Sequence, residues 1–236
     1  AWKHSDLLTA LASDDPTRAL GDMTARYWAR RIQKIALSIL EGVFLATDGS
    51  MDDNIHETAL AEFTLNGFIS AKMKLGDNQQ YLSGVAVHSN TYAKMQALDM
   101  VYSDKPSGEK FIKNTFMEHC LIVDDSLPYD PISGLVVTYL FGEGALAYGE
   151  GSPKNPVEVE RNGLGGVDYF INRKHLLIHP RGVAFQDAVI SEEEPGVALT
   201  SPNNDDLADG DNWSRVYEQK NVKIVQYIHK IADIEA

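Results

Sequence analysis

Between Thr17 and about Ala46 no proline interrupts the chain, and Leu20, Met23, Tyr27, Trp28, Ile32, Ile35, Ile39, Leu40 and Val43 recur every three to four residues. That is the period of one buried helix face. At 1.5 Å per residue, about 30 residues make a rod of about 45 Å, well above an average helix of about 11 or 12 residues, so one element is expected to run the length of the molecule. Gly21 and Gly42 weaken its ends slightly. Upstream, Ser5 or Asp6 caps a short helix through Ala12, and Asp14-Asp15-Pro16 ends that turn and caps the long one, with Pro at its first position.

The pattern then alternates between periods. Asp48 to His56 reads as a loop, Leu60 to Leu75 as a second amphipathic helix stopped by Gly76-Asp77-Asn78, and Tyr81 to His88 as a buried strand. Ser89 caps the next helix, through Tyr92, Met95, Leu98 and Met100. Cys120 to Val123, Leu135 to Phe141 and Ala145 to Tyr148 are strands, separated by Pro128, Pro131, Gly142 and Gly144. This order predicts a mixed α+β lobe from about 57 to 150. After Gly151-Ser152-Pro153, Val157 to Arg161 alternates apolar and charged residues, Gly163 to Gly166 turns the chain, and Val167 to His179 is rich in strand formers, which predicts a long hairpin. Pro180-Arg181-Gly182 precedes a short strand at Val183 to Phe185. Ser191 to Trp213, with Glu192-Glu193-Glu194 and a dense Asp/Asn run, reads as an exposed loop, disordered or partner-contacting. Asn221 to Ile231 alternates again and closes a sheet.

Composition narrows the function. The chain has 236 residues, 34 of them Asp or Glu against 21 Lys or Arg, for a formal net charge of -13. Such an excess repels phosphate backbones and anionic lipid heads, which argues against a sequence-specific nucleic-acid binder or a membrane-surface protein. The single cysteine, Cys120, rules out an internal disulfide; it is expected to be buried as a small hydrophobe and favours a reducing compartment. No apolar run approaches the roughly 18 residues that cross a bilayer, and no secretory leader is seen, so a soluble, non-secreted chain is expected. The first residue is Ala1, not Met, which leads us to expect a segment removed upstream.

A search for reactive constellations finds little. There is no Gly-x-Ser-x-Gly elbow and no Walker loop; Gly163-Leu164-Gly165-Gly166 lies between strands and reads as a turn. His175 and His179 share a strand face without a third ligand, and His119 and Cys120, adjacent in a strand, point to opposite faces. Asp48, Ser50 and Asp52 begin like a calcium loop, but Asp53 and Ala59 stand where Gly and Glu are required. No cofactor or metal is therefore expected. An enzyme reading would need a site assembled from distant groups such as His88, His119 and Asp124. The distinctive charged feature is Arg26, Arg30, Arg31 and Lys34 on the long helix, either a solvated face or a contact for a neighbouring acidic surface such as Glu192, Glu193 and Glu194.

The ordered set Arg26-Tyr27-Trp28-Ala29-Arg30-Arg31-Ile32-Gln33-Lys34, Leu40-Glu41-Gly42-Val43-Phe44, Val87-His88-Ser89-Asn90-Thr91-Tyr92, Leu121 to Asp125, Thr138 to Ala145, Val157 to Arg161, His179-Pro180-Arg181-Gly182, Asn212-Trp213 and Glu218 to Asn221 resembles phage and prophage major capsid proteins over nearly the whole chain. The resemblance implies the α+β Hong Kong 97-type capsid fold, with a spine helix, a long β-hairpin and a mixed axial lobe. It places residues 1–56 and 151–190 in a peripheral lobe, 57–150 and 213–236 in an axial lobe, and 191–212 in an acidic exposed loop. It implies a structural protein, not an enzyme, that self-assembles into hexamers and pentamers of an icosahedral virion shell around DNA. A scaffold and a maturation protease are its implied partners, and synthesis is in the bacterial cytoplasm. The N-terminal arm and extended loop of such proteins have no counterpart in these residues, so this stretch alone is expected to be a monomer or small oligomer. An encapsulin-like nanocompartment shell is the alternative with the same fold.

Overall fold

In the computed structural model the described residues are 2–5, 16–104, 113–186, 190–194, 197–198 and 201–230. In chain order the helices are α1 (Pro16–Phe44), α2 (Leu65–Met73), α3 (Ser89–Ala97) and α4 (Asn204–Ala208). The strands up to the hairpin are β1 (Trp2–Ser5), β2 (Ile55–Glu62), β3 (Leu82–Val87), β4 (Tyr102–Asp104), β5 (Lys113–Phe116), β6 (His119–Val123), β7 (Tyr129–Asp130), β8 (Leu135–Gly142) and β9 (Leu146–Gly151). There follow β10 (Val157–Asn162), β11 (Val167–Asn172), β12 (His175–Pro180), β13 (Val183–Phe185), β14 (Glu192–Glu194), β15 (Val197–Ala198), β16 (Trp213–Arg215) and β17 (Ile224–Lys230). The chain divides into two compact units, residues 1–36 with 147–179 and residues 37–146 with 180–236.

The first unit holds most of α1 and a three-stranded sheet in the order β1-β11-β10. The hairpin is regular, with Val157 opposite Asn172 and Asn162 opposite Val167, and Gly166 takes the positive φ of 56° that its turn requires. Two expectations fail here. Trp2–Ser5 is a strand paired with β11, Trp2 opposite Phe170, where a helix cap at Ser5 was expected; the rest of that expected helix lies outside the described residues. Val167 to His179 is broken after Asn172, because β12 pairs with β9 instead of continuing the hairpin. Aromatic contacts join α1 to this sheet: the Trp2 and Tyr27 rings meet edge to face at 5.4 Å, and the Trp28 indole Nε1 donates to Asn172 Oδ1 at 2.5 Å.

The second unit is built on a sheet ordered β2-β17-β8-β3-β6-β5-β4, with β7 added alongside β8. The β3–β6 and β2–β17 pairs are parallel and the β17–β8 and β3–β8 pairs antiparallel. Its core joins Phe63, Phe68, Leu75, Val85, Val87, Met95, Phe116, Leu140, Val225 and Tyr227. Burying such side chains stabilises by about 1.5–3 kcal/mol each. The end of α1 belongs here: Val43 is fully buried and Phe44 stacks on Tyr139 with centroids 5.7 Å apart.

Several local expectations are corrected in this unit. Ile55–Glu62 is a strand, so the second helix starts only at Leu65, where Thr64 Oγ1 accepts from Gly67 N at 3.1 Å. The cap of α3 is His88, whose Nδ1 accepts from Asn90 N at 3.2 Å; Ser89 is the first helical residue, and the helix ends at Ala97. The last expected strand, Asn221 to Ile231, is found as β17 at Ile224–Lys230, between β2 and β8. Cys120 is exposed, on the opposite side of β6 from the buried His119. Nor is the stretch after Ser191 an exposed loop. It contributes β14, β15 and α4; Asn203 and Asp206 form a reciprocal capping box, and Asp206, Asn212 and Trp213 are buried. Compared with the expected lobes, residues 37–56 and 180–186 group with the large sheet, and 147–150 with the hairpin unit.

Candidate assembly surface

The helical period places Arg26, Arg30 and Lys34 in one row along α1, with Arg31 beside it. All four are exposed. With Trp2, Met23 and Tyr27 they line an open depression of about 520 Å³. Met23 and Tyr27, assigned by periodicity to the buried face, are 57% and 48% exposed. From Met23 to Leu40 the helix carries no Asp or Glu. Among the described residues none of the four cations has an ion-pair partner, although the same unit pairs Arg161 with Asp168, Arg173 with Glu158 and Lys174 with Glu150.

The acidic triplet has a different setting. Glu192–Glu194 form β14, antiparallel to β15, with Glu192 opposite Ala198 and Glu194 opposite Val197 across an irregular register. The backbone and hydroxyl of Ser191 both donate to Asp206 Oδ1, at 2.9 and 2.6 Å. Buried as it is, Asp206 also accepts from Asn203 N at 2.8 Å, and these bonds outweigh burial to keep its carboxyl below the usual range. The triplet and the cationic row thus belong to different compact units.

The groups an enzyme reading would use serve local structure. His88 caps α3, with Asp125 Oδ1 3.8 Å from its Nε2, and Asp124 Oδ1 accepts from Ser126 N at 2.9 Å. His119 Nδ1 donates to the Met117 carbonyl at 2.6 Å; burial, and then the nearby Lys72, lower its pKa. His229 is buried against Phe63 and Tyr227, and burial pulls its pKa down to about 4. Its Nδ1 faces the Lys230 carbonyl at 3.1 Å, which can only accept, so Nε2 accepts from the Thr138 hydroxyl at 3.0 Å. Among the described residues no three His, Cys, Asp or Glu are placed to hold a metal ion, and no helix is long and apolar enough to cross a membrane.

No family model matches the chain. The major capsid protein of Bacillus phage SPP1 is 41% identical over 239 residues, an overlap of 98% of this chain and 70% of that protein. The chain belongs to the phage major capsid protein family. Among solved structures, the holo-SrpI encapsulin complex from Synechococcus elongatus PCC 7942 matches with a TM-score of 0.57 at 8% identity, over 99% of this chain and 74% of that one. At that identity the likeness speaks for the fold, and it is the α+β Hong Kong 97-type shell fold that the resemblance implied. For a capsid protein the relevant features are its exposed surfaces. The basic row was legible from residue type and spacing; Trp2 beside it was not, because its placement depends on the pairing of β1 with β11.

Proposed function

We propose that this chain builds the icosahedral shell of a tailed phage or prophage by symmetric self-association, encloses the viral DNA, and acts without catalysing a reaction. The observation that carries this reading is 41% identity to a phage major capsid protein across 98% of the chain. A closed shell needs many copies of one rigid unit, each presenting complementary patches related by rotation. The unit containing the β10–β11 hairpin serves as the peripheral lobe and the large-sheet unit as the axial lobe around hexamer and pentamer axes. A scaffold and a maturation protease act on the subunit during assembly in the bacterial cytoplasm. The excess of carboxylates keeps most of the wall from gripping the polyanion inside.

Sedimentation of the full chain, expressed with a scaffolding protein, tests this. Fast-sedimenting particles are expected; material that stays at subunit size under every assembly condition argues against it. An encapsulin-like compartment would instead yield particles loaded with a protein cargo.

A further inference from the structure

We propose that Arg26, Arg30, Arg31 and Lys34, with Trp2 and Tyr27 beside them, form a phosphate-contacting patch by which each subunit touches the enclosed double-stranded DNA without reading its sequence; this rests on the shell reading above. The patch departs from the rest of the chain. In a protein of net charge -13, the helix from Met23 to Leu40 holds four exposed cations and no carboxylate. On the sheet of the same unit Arg173 pairs with Glu158 at 2.7 Å and Lys174 with Glu150 at 3.2 Å, whereas these four, like the isolated Lys3 and Lys154, have no ion-pair partner among the described residues; only the four are clustered. Four clustered Arg/Lys side chains with no ion-pair partner among the described residues are available to an external anion.

Hydrogen-bond chemistry distinguishes the class of anion. Arg and Lys offer donors and no acceptors, and the Trp2 indole adds another donor. A protein partner brings backbone N–H donors of its own, and protein interfaces use donors and acceptors from both sides. A nucleic-acid backbone brings phosphate and sugar oxygens, and Arg suits phosphate through its planar fork. The row also has the right run. Arg26, Arg30 and Lys34 follow one another at about 6 Å along the helix axis. A DNA strand places a phosphate about every 3.4 Å of its own axis, so a row of this length faces several phosphates. The depression of about 520 Å³ is open, suiting the side of a duplex lying across it more than a folded segment inserted into it.

The test uses the full chain and a fluorescein-labelled 20-base-pair duplex, with fluorescence anisotropy read as a function of salt, and an oligoglutamate peptide of matched charge as the rival probe. The expected result is weak duplex binding at low salt with a log–log salt slope of about -3.6, as four phosphate contacts require. R26Q/R30Q/R31Q/K34Q should lower the affinity at least tenfold and flatten the slope, while R161Q/R173Q/K174Q in the same unit should leave both unchanged. Both variants are also scored for particles by sedimentation. Shells that form with unaltered duplex binding in the quadruple variant overturn the proposal and leave the shell reading standing. Preference for oligoglutamate, with particle formation lost in that variant, overturns it in favour of an acidic surface such as Glu192–Glu194 on a second copy. Wild-type chain that forms no particles refutes the shell reading itself, whatever the duplex does.

Discussion

Two glycines in one helix should respond to the same substitution with opposite signs. Gly42 lies where α1 meets the segment after α4: a Cβ there would stand 2.7 Å from Trp213 Nε1 and 2.9 Å from its Cδ1, and would press on the Leu207 carbonyl oxygen. That oxygen accepts the Trp213 indole N–H at 2.8 Å, and Trp213 is 3% exposed, so neither neighbour can yield without disturbing the other. Overpacking of this kind costs about 1–3 kcal/mol, and spoiling the hydrogen bond costs about 1 more. Ala gains about 0.5–1 kcal/mol over Gly in a helix interior, which offsets part of this. Gly42→Ala should therefore destabilise by about 2 kcal/mol, a fall in Tm of roughly 4–8 °C for a chain this long. At Gly21 an added Cβ meets nothing within 4 Å, so only the helix gain applies and Gly21→Ala should stabilise by about 0.5–1 kcal/mol. Urea titrations followed by tryptophan fluorescence would read both. Gly42→Ala at or above wild-type stability would refute the packing of α1 against Trp213.

Acid should weaken the large-sheet unit before carboxylates titrate. An unfolded His takes up its proton near 6.5 and the buried His229 only near 4, so the unfolded chain binds more protons between these values and stability falls as pH drops through that window. The loss from His229 approaches about 3 kcal/mol near pH 4, and His229→Gln should flatten the slope in denaturation curves taken from pH 7 to 4; His119 adds in the same direction. Asp206→Ala removes the acceptor of Ser191 N, Ser191 Oγ and Asn203 N, and should cost about 2–4 kcal/mol. Limited proteolysis should then cut between residues 190 and 204; an unchanged digest would show that those bonds do not hold the segment.

How much could be read in advance depended on the range of the interactions. α1, expected from Thr17 to about Ala46, is found at Pro16–Phe44, since its apolar period persists through eight turns of chain and needs no partner to be recognised. The β10–β11 hairpin was equally legible, its alternation and glycine turn being local. Ile55–Glu62 was not: its Ala, Leu and Glu favour helix, and its strand form comes from parallel pairing with β17, Ile55 opposite Gln226, far along the chain. The Asp/Asn-rich stretch before Trp213 looked solvated because such residues usually are, yet Asp206 and Asn212 are buried with their polar atoms bonded, Asn212 Nδ2 donating to the Asp206 carbonyl at 2.9 Å. The Asn203-x-x-Asp206 spacing was the signal that could have marked the start of α4. At the surface, charge was visible and environment was not: the cationic row stood out by spacing alone, while the contact of Tyr27 with Trp2 depends on a strand whose partner lies in the hairpin.

Cryo-electron microscopy of particles made by the full chain with a scaffolding protein tests the central claim most directly. The expected reconstruction is a closed icosahedral shell of fivefold and sixfold clusters, whose subunit density accommodates a 29-residue α1 and the β10–β11 hairpin. Particles with no icosahedral order, or subunits that never associate, would contradict it.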